Sequence, residues 1–194
     1  MSTGNRFPLA DARALAEQIV FDLQPYCQKI EIAGSIRRES ETVGDIEIVA
    51  QPILTERTDM FGHPAGFHNE FDQLPFSWSR YGRVLAGGER QKKIMLPAGI
   101  QLDLYIVIPP AQWGAIFLIR TGPAEFSHWI MKKRSRGGAQ PDWMKQKNGA
   151  LWADLELIPT PTEKAYFAAL GLDFIPPGER SLFTLAKTPT VTSL

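Results

Sequence analysis

Two short runs in this chain place acidic side chains where they could act together. In residues 45–49 (DIEIV), Asp45 and Glu47 are two positions apart, and a β-strand puts such residues on the same face. In residues 101–106 (QLDLYI), the same alternation predicts that Asp103 points away from its apolar neighbours. If the two strands are neighbours in one sheet, the three carboxylates converge on one face.

Three such carboxylates would repel one another, so a cluster of Asp45, Glu47 and Asp103 usually needs a cation. Ligands that are all oxygen favour a hard ion such as magnesium, with manganese as an alternative. Two such ions can hold the attacking and leaving oxygens of an in-line phosphoryl displacement. Acids on a strand are also typical of a solvated face, so the carboxylates alone do not decide the function.

Gly34-Ser35 supplies a complementary group, because it follows an alternating run at residues 29–33 and precedes the acidic strand. The glycine permits close backbone approach, and the amides with the Ser35 hydroxyl can bond phosphate oxygens. Arg38 could neutralise a leaving pyrophosphate. A Gly-Ser pair is also common as a plain turn, but its combination with three carboxylates favours phosphoryl transfer, which depends mainly on positioning and charge stabilisation.

These residues need a scaffold, and apolar spacing predicts one. A helix is predicted from Pro8 to near Pro25, and strands at residues 29–33, 45–50, 83–86, 92–96 and 100–108. Residues 51–78 are rich in glycine and proline and are interpreted as a long connection with room for one short helix. His63 and His68 lie in this connection without a ligand pattern around them, which favours solvated side chains over a metal site.

Beyond Pro109-Pro110 the pattern changes to a predicted helix at 125–135, a strand at 150–157, a helix at 162–170 and an irregular tail. We therefore predict an α+β fold with two parts, a catalytic part at 1–110 and a C-terminal part at 111–194. The single cysteine, Cys27, cannot form an internal disulfide, and the first residues lack the apolar run of a signal peptide. A cytoplasmic protein without a membrane partner is expected.

The formal net charge is zero, but cations concentrate in residues 128–148, where they face only Asp142. Such a run is typical either of a solvated helix face or of a phosphate-binding surface. Its cations are Lys132, Lys133, Arg134, Arg136, Lys145 and Lys147.

Residues 34–47 (GSIRRESETVGDIE) closely resemble the catalytic signature of family X DNA polymerases, the group that includes DNA polymerase beta. The similarity continues at residues 88–107, 114–122 and 162–180, so it covers nearly the whole chain. This resemblance implies a polymerase beta-like nucleotidyltransferase palm, with a mixed β-sheet and flanking helices, plus a small α/β C-terminal subdomain.

The resemblance also implies roles for individual residues. Asp45, Glu47 and Asp103 would bind two magnesium ions, and Asp103 would help to deprotonate the attacking 3′-hydroxyl. The other implied groups are the triphosphate site of Gly34, Ser35, Arg38 and Gly44, the sugar and base site of Thr121 and Gly122, and the DNA contacts of Lys132, Lys133, Arg134 and Arg136.

The chain departs from the family pattern at several positions. Glu47 replaces the usual aspartate, Ile119-Arg120 stands where an aromatic residue usually precedes Thr-Gly, and Ser127 and Met131 replace polar or basic groups. The chain is also expected to begin at the palm helix, without the family's N-terminal helix-hairpin-helix lobes. Weak, salt-dependent DNA binding and a protein partner in place of those lobes are therefore expected.

The predicted function is metal-dependent addition of deoxynucleotides to a DNA primer with release of pyrophosphate, on a DNA template or without one. A second hypothesis is a minimal nucleotidyltransferase that modifies RNA or protein. A third is a DNA-binding module with a decayed active site, which the glutamate at position 47 motivates.

Overall fold

The computed structural model of the protein describes residues 5–182, without the side chains at positions 72, 73, 181 and 182. The helices are α1 (Leu9–Leu23), α2 (Gly34–Arg37), α3 (Trp113–Thr121), α4 (Ala124–Met131) and α5 (Glu163–Ala169). The strands are β1 (Phe7–Pro8), β2 (Cys27–Ile32), β3 (Thr42–Val43), β4 (Asp45–Pro52), β5 (Leu54–Thr58), β6 (Pro64–Asn69), β7 (Arg83–Gly87), β8 (Gln91–Met95), β9 (Gln101–Ile106), β10 (Met144–Lys147), β11 (Ala150–Ala153) and β12 (Glu156–Ile158). This is an α+β protein, as the sequence predicts.

The central sheet has five strands in the order β2-β4-β9-β8-β7. The β4 and β9 strands run parallel, and the other neighbouring pairs are antiparallel, so the sheet is mixed. The parallel pairing brings the first residues of β4 and β9 to the same edge of the sheet. The two acid-bearing strands are therefore direct neighbours.

One face of the central sheet is covered by α1. Pro8 precedes this helix, and Ala12, Ala16, Ile19 and Leu23 recur at three- and four-residue spacing as its buried stripe. They pack in one cluster with the strand residues that point away from the acids, including Ile46, Ile48, Leu102 and Leu104, each 0% exposed. The core on this side fixes the register of the strands, and the acids face the opposite side.

The interpretation of residues 51–78 as a connection with one short helix is wrong. This segment forms the β5–β6 hairpin, followed by 3₁₀ turns at Glu70–Gln73 and Trp78–Arg80. The hairpin has little buried surface, and Met60 near its tip is 89% exposed. Without a buried face the strands lack the alternation that sequence patterns detect.

In the C-terminal half, α3, α4 and α5 pack with an antiparallel sheet of order β10-β11-β12. The predicted helix at 125–135 ends earlier, at Met131, and a 3₁₀ turn follows at Arg134–Arg136. The predicted strand at 150–157 is divided into β11 and β12. A separate cluster joins both halves, since Val49 and Tyr105 of the central sheet pack with Trp113 and Phe117 of α3. The division at residue 110 stays a prediction.

Within residues 5–182, none of the helices has the length and apolar character needed to cross a membrane.

Candidate active site

The three acids lie on one face of the β4–β9 pair. In the parallel register Asp45 is opposite Gln101 and Glu47 is opposite Asp103. Asp45 and Glu47 are partly buried, and Asp103 is 5% exposed. Because side chains alternate along both strands, the three predicted acids lie on the same face of the sheet, two on β4 and one on β9.

Glu47 lies against the backbone of Gly34 at the start of α2. Gly34 has a φ of +61°, and a Cβ atom added there would be 2.0 Å from Oε2 of Glu47. The amide of Ala33 donates a hydrogen bond of 2.8 Å to the carbonyl oxygen of Glu47, which fixes the approach of the two segments. Only glycine satisfies both the left-handed backbone and this contact.

The electrostatics of the site disfavour ionised carboxylates. Burial, with the negative charge of Asp45, raises the pKa of Glu47 to about 8. Burial, with the negative charge of Asp103, also raises the pKa of Asp45. Burial and a neighbouring acid both destabilise the charged form of a carboxyl group. A nearby cation stabilises that charged form.

Asp103 is held by three neighbours that the sequence analysis missed. Its carboxylate accepts hydrogen bonds from Gln101 Nε2 at 2.9 Å and from the Tyr105 hydroxyl at 3.3 Å, and Lys93 Nζ lies 3.5 Å away. Gln101 and Tyr105 are two positions before and after Asp103, so strand alternation could have identified them. Lys93 is the cross-strand partner of Asp103 on β8.

The donor chemistry of the site fits a hard divalent cation, because all three acids offer carboxylate oxygen and two of them have raised pKa values. In this conformation, however, no group of three His, Cys, Asp or Glu side chains among the described residues is arranged to hold a metal ion. Asp103 is directed to Gln101, Tyr105 and Lys93 instead.

A cavity of about 480 Å³ opens beside Asp45 and Glu47. Ser35 and Arg38 contribute to its wall, and both carry buried polar atoms, Ser35 Oγ and Arg38 Nε, that have no hydrogen-bond partner in the described part of the chain. The Arg38 side chain is held in place, because its Nη1 donates a hydrogen bond of 2.6 Å to the carbonyl oxygen of Thr121. A serine and an arginine on the cavity wall favour an anionic ligand there.

Thr121 and Gly122 lie at the end of α3, but only Gly122 contributes to the cavity wall. The Thr121 side chain is fully buried and accepts a 2.7 Å hydrogen bond from Arg37. Thr121 therefore positions arginines rather than facing the cavity. Gly44 is exposed just before β4 and is not part of the cavity wall either.

The four cations predicted to contact DNA differ in their surroundings. Arg134 donates hydrogen bonds to the carbonyl oxygens of Ala139 and Leu170, and Lys133 donates one to the carbonyl oxygen of Asp142. Lys133 and Arg134 are hydrogen-bonded within the protein, although Arg134 is also exposed, and Lys132 and Arg136 are exposed.

A second group of charges was missed by the sequence analysis. Glu163 accepts hydrogen bonds from Arg37 at 2.9 and 2.6 Å and from the fully buried Arg180 at 2.8 Å. This network connects α2 with α5 and with the segment after it. It depends on tertiary contacts between residues far apart in the sequence, which no local pattern signals.

Comparison with protein-family models and with curated proteins finds no match for this chain. The resemblance to family X DNA polymerases therefore stays a prediction.

Proposed function

We propose that the protein is a metal-dependent nucleotidyltransferase with a polymerase beta-like palm, which adds deoxynucleotides to a DNA 3′-hydroxyl and releases pyrophosphate. One observation carries this proposal. The partly buried carboxylates of Asp45 and Glu47 line the same cavity as Ser35 and Arg38, whose Oγ and Nε atoms have no hydrogen-bond partner among the described residues. A metal-bound triphosphate presents both the cation that the acids need and the anion that the donors need.

In this proposal the chain's own residues divide the work. Ser35 Oγ, Arg38 and the amides at the start of α2 bind phosphate oxygens, and Arg38 stabilises the charge of the departing pyrophosphate. Asp103, oriented by Gln101 and Tyr105, accepts the proton of the attacking hydroxyl. Magnesium ions bound by Asp45, Glu47 and Asp103 would supply charge stabilisation for the attacking and leaving oxygens.

Primer extension with the purified protein tests this function. We expect nucleotide addition with magnesium or manganese, and a loss of at least about 100-fold in Asp103→Ala. Asp173→Ala, which removes an exposed acid outside the cavity wall, is the matched control and should retain the rate. Absence of incorporation with either metal, or full activity of Asp103→Ala, would contradict the proposal.

A second candidate transfers a nucleotide to RNA or to a protein hydroxyl with the same acids. The observation that favours it is the hydrogen bonding of Lys133 and Arg134 to backbone carbonyl oxygens, which restrains two of the four cations predicted to contact DNA. Mass spectrometry of RNA and protein incubated with the enzyme and labelled nucleotides distinguishes the two. A nucleotidylated RNA or protein with no extended primer would favour the second candidate.

A further inference from the structure

Arg120 is a cation of the cavity wall that strand alternation and the Gly-Ser motif do not indicate. It lies in the last turn of α3, and its side chain faces the cavity together with Arg38 and Glu47. Its guanidinium carbon is 4.0 Å from the centre of the Tyr105 ring, so the group is stacked on the aromatic face. The guanidinium of Arg120 is therefore held at one side of the cavity beside Asp45 and Glu47.

Tyr105 gives this stacking a fixed platform. Its ring is 7% exposed, and its hydroxyl donates to Oδ2 of Asp103. Tyr105 also belongs to the apolar cluster that joins the central sheet to α3. A guanidinium stacked on an immobilised ring loses less conformational freedom on binding a ligand.

Arg120 has no ion pair among the described residues, although its charge opposes the rise in the pKa of Glu47. Its Nε is buried without a hydrogen-bond acceptor, and the ion pairs found among the described residues do not include it. Arg37 provides the contrast, because it too lies over a ring, 3.8 Å from the centre of Phe117, but is hydrogen-bonded to Glu163 and Thr121. A partly buried charge without a partner is costly unless a ligand supplies one.

We propose that Arg120 binds phosphate oxygens of the nucleotide, as a second cation beside Arg38. The inference rests on the proposed function and adds a ligand-binding residue to it. Both arginines contribute to the wall of the same cavity, and each has a buried Nε without an acceptor. The planar fork of a guanidinium matches phosphate, on which it can make two parallel hydrogen bonds.

Calorimetric titration of the full chain with inorganic pyrophosphate and magnesium, without DNA, tests the inference. We expect Arg120→Met to weaken pyrophosphate binding about tenfold or more, and Arg120→Lys to weaken it less. Arg57→Met, which removes an exposed arginine outside the cavity wall, should bind as the unaltered protein does. The melting temperatures of Arg120→Met and Arg120→Lys are recorded with the titrations, and a loss of affinity in a variant that stays folded at the titration temperature assigns the loss to the ligand contact rather than to folding.

Three outcomes overturn the inference. If Arg120→Met binds pyrophosphate normally while the unaltered protein both binds it and extends primers, Arg120 is not a phosphate-binding residue and the proposed function stands. If the variant loses affinity for a single-stranded oligonucleotide but not for pyrophosphate, the phosphate that Arg120 binds belongs to nucleic acid. If the unaltered protein neither binds pyrophosphate nor extends primers, the proposed function fails together with the inference.

Discussion

Glu47 and Glu163 are both largely buried and both lie near arginines, yet the pKa values of their carboxyls shift in opposite directions. Burial alone would raise the pKa of Glu163, but the hydrogen bonds from Arg37 and the charge of Arg180 outweigh it, and the pKa falls below its ordinary value. For Glu47, burial and Asp45 raise the pKa to about 8 despite the nearby arginines. The difference is direct hydrogen bonding. Among the described residues, side chains donate hydrogen bonds to the carboxylate of Glu163 but not to that of Glu47.

Glu163 belongs to a network of paired charges, whereas Glu47 lies on the wall of a cavity. Around Glu163, positive and negative groups bond to one another and connect α2 to α5. Around Glu47, the acids and the donors of Ser35, Arg38 and Arg120 stay apart on the wall of a cavity. Internal pairing contributes to folding, whereas separated opposite charges are available to a ligand that carries both signs.

The largest expected effect is on the complete network. Glu163→Ala leaves Arg37 and Arg180 as buried cations without a carboxylate, and we expect the free energy of unfolding to fall by about 3–5 kcal/mol. Urea denaturation measures this change. Glu156→Ala, which removes an exposed acid on β12, should alter stability little. Equal stability of the two variants would contradict the structural assignment of Glu163.

The contact between Gly34 and Glu47 should give the next largest effect. Gly34→Ala introduces a Cβ against Oε2 of Glu47 and strains a left-handed residue, so we expect a loss of about 1–3 kcal/mol in the free energy of unfolding. Gly137→Ala is the control, because Gly137 has a φ of +80° but no atom within 4 Å of an added Cβ.

A double-mutant cycle isolates the steric part of this effect. In the Glu47→Asp background the carboxylate is shorter, so the additional cost of Gly34→Ala should decrease. Additive costs for the two substitutions would contradict the contact. Primer extension with Glu47→Asp alone shows in addition how the glutamate affects the rate.

A smaller effect is expected in the pH dependence of stability without metal. The pKa of Glu47 is raised, so its contribution is present below its ordinary pKa of 4.5 and is lost as the pH rises through about 8. The pKa of Glu163 is lowered, so its contribution is present above 4.5 and is lost as the pH falls. As the pH rises from about 5 to about 9, the free energy of unfolding of Glu47→Gln should increase by about 1–3 kcal/mol relative to that of the unaltered protein. Denaturation experiments over this pH range measure the change. A pH-independent difference would contradict the raised pKa.

The smallest expected effect concerns the basic segment. Replacing Lys132 and Arg136 by alanine should lower DNA affinity and reduce its salt dependence by the loss of about two phosphate contacts, with unchanged stability. Arg134→Ala should instead lower the melting temperature, because Arg134 bonds to Ala139 and Leu170. Fluorescence anisotropy over a salt series and thermal melts separate the two results. Equal changes in DNA affinity and melting temperature at Lys132, Arg136 and Arg134 would contradict the distinction between the two exposed cations and the hydrogen-bonded Arg134.

Features with a regular period could be predicted from the sequence. The common face of Asp45, Glu47 and Asp103 follows from strand alternation, and the buried stripe of α1 follows from helical spacing. Gln101 and Tyr105 follow the same alternation, so their position on the face that carries Asp103 could also have been predicted.

Features that depend on tertiary contacts could not be predicted. The β5–β6 hairpin is mostly exposed and has no apolar face to mark it, and the partners of Arg134 include Leu170, far along the chain. The charges of Arg37 and Arg120 look alike in sequence. Only the folded structure shows that, among the described residues, Arg37 is hydrogen-bonded to a carboxylate and Arg120 is not.

The Asp45→Asn variant distinguishes a catalytic role of the acids around the cavity from a structural one. Nucleotide incorporation into a primer and thermal melting are measured on the same preparation, with Glu163→Gln for comparison. We expect Asp45→Asn to lose at least about 100-fold in incorporation and to melt no lower than the unaltered protein, because burial and Asp103 already penalise its charge. Glu163→Gln should melt lower. Incorporation by Asp45→Asn at the unaltered rate would contradict the account.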